Sequence, residues 1–140
     1  MLGLACSIYG WIVVRANKLD KVSILKAIKQ GDFYSSCGPE IHDISLEGDM
    51  LKVKCSPARS IYVFDQYHYS PLAVNAWDGD TFEEGANYIF EKVCKKNPIT
   101  EATFKINPRQ EIIRIEVVDY HGRSAWSNPY FKEPDKSNWE

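Results

Sequence analysis

The stretch 112–131, IIRIEVVDYHGRSAWSNPYF, constrains the fold more than any other part of the chain. Ile113, Ile115 and Val117 alternate with Arg114, Glu116 and Val118, the two-residue period of a strand that turns one face to a core. Asp119-Tyr120-His121-Gly122 reads as a turn, with Gly122 free to take the positive φ that closes many hairpin loops. Ala125-Trp126-Ser127-Asn128-Pro129 then resumes the extended chain. The stretch predicts an all-β ending and carries no catalytic constellation.

The same period recurs upstream. Residues 10–15 (GWIVVR) form a short strand rich in β-branched side chains. Ile44 and Leu46 alternate with Asp43 and Ser45, Glu47-Gly48-Asp49 makes a hairpin connection, and 50–55 return with Leu51, Val53 and Cys55 on one face. Further strands are expected at 60–64, 72–77 and 102–106, with an aromatic-edged loop over 65–71. Two helices interrupt this pattern. Asp20 caps the first over 21–30, with Val22, Ile24, Leu25 and Ile28 as its buried side and Gly31 as its stop. The second opens on the capping box Thr81-Phe82-Glu83-Glu84 and runs to Lys96. Glycine and proline at Gly38-Pro39 place a turn or bulge after the extended piece at 33–35. About seven short strands separated by turns predict a mainly β fold, an immunoglobulin-like β-sandwich with two accessory helices. The expected organisation is a crossover strand and helix at 1–32, the sandwich at 33–132 with a helix inserted near 81–96, and a polar tail at 133–140.

Length and charge narrow the function classes. A chain of 140 residues is one domain with a sizeable core. Its net charge of −2 argues against nucleic acid, because phosphate binding needs a concentrated basic stripe, and Lys92, Lys95 and Lys96 read as a solvated helix face. The apolar start MLGLACSIYGWIVV lacks a leading basic residue, and Arg15 closes it too soon for a membrane span, so neither signal peptide nor membrane is expected and the cytoplasm is the default. Cys6, Cys37, Cys55 and Cys94 contain no CxxC pair; each reads as a small buried hydrophobe in a reducing compartment, and a Cys37–Cys55 bridge is conceivable only if their strands are neighbours.

No catalytic motif emerges. His42, His68 and His121 form no HxH, HxxxH or HExxH, Asp78-Gly79-Asp80 lacks the acids of an EF-hand, and there is no GxSxG, GxxxxGK[ST] or GxGxxG. Tyr67, His68, Tyr69 and Trp77 are the candidate ligand or interface residues, since Tyr67, Tyr69 and Trp77 would suit stacking on a sugar or peptide. An independent metal site would require His68, Asp65 and Asp78 to converge.

One ordered set of motifs stands out: Gly10-Trp11-Ile12-Val13-Val14, Leu25-x-Ala27-Ile28-x-x-Gly31-x-Phe33-Tyr34, Ser36-x-Gly38-Pro39-Glu40-Ile41, Cys55-Ser56-Pro57, and Ile113-Arg114-Ile115-Glu116-Val117 with Gly122-Arg123-x-Ala125-Trp126-Ser127-Asn128-Pro129. In this order they resemble the C-terminal region of bacterial PHP-type metal-dependent phosphoesterases. The resemblance implies a strand, helix and glycine-proline crossover followed by a β-sandwich, in which Trp11, Gly31, Gly38, Pro39, Trp126, Asn128 and Pro129 serve architecture. The family's divalent metal ligands belong to a barrel with no counterpart in this sequence, so no catalytic or metal residue carries over and no cofactor is expected here. The expected role is a non-catalytic accessory domain that supports a barrel, shapes a substrate entrance or mediates association. Apolar surface around Leu2, Leu4, Ile8 and Trp11 should then be covered by self-association or by a PHP barrel chain. A carbohydrate- or peptide-binding sandwich is the alternative, and an independent metal-dependent hydrolase the second alternative.

Overall fold

A computed structural model of the protein describes residues 9–66, 72–75 and 98–132. They form one helix and ten antiparallel strand segments: β1 (Trp11–Val14), α1 (Lys21–Gln30), β2 (Phe33–Ser36), β3 (Ile41–Glu47), β4 (Met50–Ala58), β5 (Ser60–Asp65), β6 (Leu72–Asn75), β7 (Ile99–Lys105), β8 (Ile112–Val118), β9 (Ser124–Ser127) and β10 (Tyr130–Phe131). The larger sheet runs β1-β2-β9-β8-β5-β6, with β10 also on β8; the smaller runs β3-β4-β7. The mainly β, sandwich-like architecture agrees with the alternation in the sequence. Ten segments replace the expected seven because short pieces are counted apart. The inserted helix near 81–96 and the tail from 133 lie outside the described residues.

The two sheets share one core. Leu51, Val53 and Cys55 of β4 with Ala102 and Phe104 of β7 meet Ile61 and Val63 of β5 and Ile113, Ile115 and Val117 of β8. Period-2 alternation does this work: Ile113, Ile115 and Val117 are buried as predicted and Arg114 remains exposed, while Val118, assigned to the other face, is buried as well. The β3–β4 hairpin closes through Gly48 and Asp49, since Glu47 pairs with Met50. In the β8–β9 turn Gly122 takes φ 75°, as its position required.

Between β9 and β10 the register against β8 steps by one residue, from Glu116↔Trp126 to Ile113↔Tyr130. The ladder therefore carries a bulge at Ser127-Asn128-Pro129. The Ser127 hydroxyl repairs it, accepting from the Ile115 amide at 2.9 Å and donating to the Asn128 carbonyl at 2.9 Å. The freed Asn128 amide group reaches across to donate to the carbonyls of Gly31 (2.9 Å) and Phe33 (3.0 Å). Two residues singled out far apart in the sequence, Gly31 and Asn128, thus meet where α1 hands over to β2.

Local chemistry defines α1. The Asp20 carboxylate accepts from the Ser23 amide at 2.8 Å, and Gly31 closes the helix in the left-handed region at φ 80°. The amides of Gly31 and Asp32 satisfy the carbonyls of Ile28 and Ala27. The expected burial fails, however. Ala27 alone is buried; Ile24 and Ile28 are half-buried, and Val22 and Leu25 face outward. The reason is topological: among the described residues α1 lies beside β1, the last strand of the larger sheet.

Candidate interaction face at the β1–α1 edge

Four of the seven residues that sequence marks as architectural, Gly31, Gly38, Pro39 and Asn128, fall in two clamps. Gly31 and Asn128 form the first. In the second, Gly38 lies so close to Arg123 that a Cβ there would stand 2.6 Å from the guanidinium Nε. Arg123 in turn donates from Nε to Asp119 at 2.8 Å, and the Ser36 hydroxyl donates to the carbonyl of buried Pro39 at 2.6 Å. Burial would raise the Asp119 carboxyl, but the Arg123 amide, the Arg123 guanidinium and the His121 amide outweigh it and hold the group below the usual carboxylate range. Trp126 is half-buried in β9, and Pro129 is an exposed part of the bulge. Neither Asp119 nor Arg123 had been picked out as a pair. The signal was there, an acid and a base flanking a glycine turn, but Gly38 enters only through the fold.

Cys37 departs from its expectation. It is disulfide-bonded, and not to Cys55, whose buried thiol donates to the Ile99 carbonyl in the smaller sheet. The reading of all four cysteines as reduced does not hold for Cys37.

For the chemistry-bearing candidates the outcome is plain. Tyr67, His68, Tyr69, Trp77 and Asp78 lie outside the described residues. Asp65 accepts a hydrogen bond from the buried Gln110 amide at 2.9 Å. His42 pairs with Glu40 at the surface, and His121 is exposed in the β8–β9 turn. Among the described residues no group of three His, Cys, Asp or Glu side chains could hold a metal ion. No described helix is long and apolar enough to cross a membrane.

What does stand out is apolar exposure. Of the nine large exposed apolar side chains among the described residues, seven fall between Tyr9 and Leu25. Trp11 (50%), Ile12 (46%) and Val13 (38%) are exposed along β1, and Leu19, Val22 and Leu25 along the approach to α1 and its outer side. Trp11 is therefore at the surface. Because side chains alternate along a strand, both faces of β1 are open.

At the end of β1 a polar cleft of about 160 Å³ opens against α1, lined by Arg15, Asn17, Ser23, Lys26, Gln30 and Asp32 among others. Arg15 and Lys26 have no ion-pair partner among the described residues. Tyr130 lies close by. Its burial pushes the hydroxyl up, Arg15 opposes this, and Asp32 and Asp43 add to it. Arg15, Lys18, Lys21, Lys26 and Lys29 face only Asp20 and Asp32 in residues 9–32, so this segment carries +3 in a chain of net −2. That asymmetry is legible in the sequence. Comparisons with family models, with curated proteins and with solved structures returned no match to the chain.

Proposed function

We propose that this chain is a non-catalytic accessory domain, similar to the C-terminal region of PHP-type phosphoesterases, that attaches to a separate metal-bearing body through β1 and α1. The immunoglobulin-like strand order belongs to the same reading. The observation that carries it is the concentration of exposed apolar side chains between Tyr9 and Leu25, beside a fully packed sandwich. Apolar exposure concentrated in one segment points to an interaction surface, whereas singly scattered apolar side chains do not. Chemistry would come from the partner, whose metal ligands activate water for phosphoester hydrolysis.

The test has two arms. The purified chain is first assayed for bound metal and for turnover of an aryl phosphate with added manganese or zinc. It is then mixed with the barrel of a PHP-type phosphoesterase expressed without its own C-terminal region, and co-migration is followed by sedimentation. No turnover alone and a 1:1 complex with the barrel is the expected result. Stoichiometric metal with turnover by this chain alone, or no complex, overturns the proposal.

A further inference from the structure

We propose that the outer edge of β1 accepts an extended, apolar, acid-flanked strand from a partner polypeptide, with a carboxylate of that strand seated in the cleft lined by Arg15 and Lys26. The inference deepens the accessory reading, on which it rests only for the choice of face.

The backbone geometry comes first. The Arg15 amide donates to the Asp32 carbonyl at 2.8 Å, continuing the β1–β2 register of Val14↔Phe33. In an antiparallel ladder, residues alternate between turning both polar groups toward a neighbour and turning both away. Trp11, Val13 and Arg15 therefore point their amides and carbonyls at β2, while Ile12 and Val14 point theirs outward, where the sheet ends among the described residues. The sequence WIVV contains no proline, no charge and no bulge, the usual devices that keep an edge strand from pairing.

Exposure on both faces of β1 then selects the mode of contact. A flat lid would cover Trp11 and Val13 or Ile12, but not both sets. An added strand satisfies the outward backbone groups and brings alternate side chains alongside each face.

Charge selects the partner. The cleft begins at the residue that follows β1 and holds two cations, Arg15 and Lys26, with no ion-pair partner among the described residues, against one acid, Asp32, so its lining carries a net positive charge beside the strand position opposite Arg15. A carboxylate there would form charge-assisted hydrogen bonds. A second copy of this chain does not supply one. In each antiparallel self-pairing that uses the outward groups of Ile12 and Val14, the residue opposite Arg15 is Tyr9, Trp11 or Val13. Self-pairing would also bring together two segments of like net charge.

The experiment uses the full chain and two short synthetic peptides with the same alternating Val-Thr core, one with Glu at both ends and one with Lys. Amide exchange is read residue by residue by NMR. The Glu peptide is expected to slow exchange at Ile12 and Val14, the Lys peptide to leave both unchanged, and Lys26→Ala to weaken the Glu peptide about tenfold, the loss of one charge-assisted contact. Ile12→Pro should abolish binding while sparing β2 pairing, because the Ile12 amide points outward. Ile12→Lys serves the same purpose should the proline variant fail to fold.

Equal binding of both peptides, no protection by either, or protection that appears with protein concentration alone overturns the inference. So does binding to phosphatidylserine vesicles in place of the Glu peptide. A complex with the phosphoesterase barrel that leaves Ile12 and Val14 exchanging freely overturns strand addition and keeps the accessory reading. Glu-peptide binding without a barrel complex does the reverse.

Discussion

Strands β8 and β1 are close in chemistry and opposite in fate. IIRIEVV and WIVV are both apolar and β-branched, yet Ile113, Ile115 and Val117 are buried while Trp11, Ile12 and Val13 are exposed. β8 has β5 on one side, β9 and β10 on the other, and β4 and β7 across the core. Among the described residues β1 has β2 alone beside it. Apolar character makes burial favourable, but only neighbours can provide it. An apolar strand left at an edge is therefore informative about what it meets.

The largest test of this contrast is a pair of truncations. Phe104→Ala, at a fully buried site, should cost about 3–5 kcal/mol in urea denaturation. Trp11→Ala in the isolated chain should cost about 1 kcal/mol or less, since half of the ring is already in water. Comparable losses would erase the distinction between the two regions.

The next effect separates the clamps from the edge. Asp119→Ala removes a buried acceptor of two amides and a guanidinium and should cost about 1–3 kcal/mol. Asp119 also sets an acid limit. A carboxyl held below its unfolded value contributes stability that is present above the unfolded pKa of about 3.9 and is lost as the pH falls through the folded value. Denaturation midpoints should therefore drop below about pH 4, and less steeply in Asp119→Asn.

Asn128→Ala removes both side-chain hydrogen bonds to the α1–β2 junction and should cost about 1–2 kcal/mol. Exchange at the amides of β1 and β2 should rise more than at those of β8; a uniform rise would mean that the edge unfolds with the core. The smallest effect is Asp20→Ala. Loss of its cap should loosen the first turn of α1, visible as faster exchange at Ser23 with the core amides unmoved.

Helix α1 shows where local reading succeeds and where it stops. Asp20 and Gly31 mark its ends because caps involve only adjacent residues, and both behave as their positions in the sequence required. Its buried side was misjudged because burial depends on a surface that α1 does not contain. The glycine-proline crossover was placed correctly, yet the reason for Gly38, the Arg123 side chain passing over it, is 85 positions away in the chain. The cleft between Arg15 and Lys26 likewise joins the end of a strand to a helix and has no linear pattern.

Alternation, capping and turn chemistry in the sequence determined the strands, the helix and the mainly β class, because these act over a few residues. The tertiary structure decided which apolar strand found two neighbours and which found one, and which acid reached which base. Those outcomes depend on contacts between residues distant in the chain. For that reason the apolar exposure of the β1–α1 edge became legible only once the sheets were assembled.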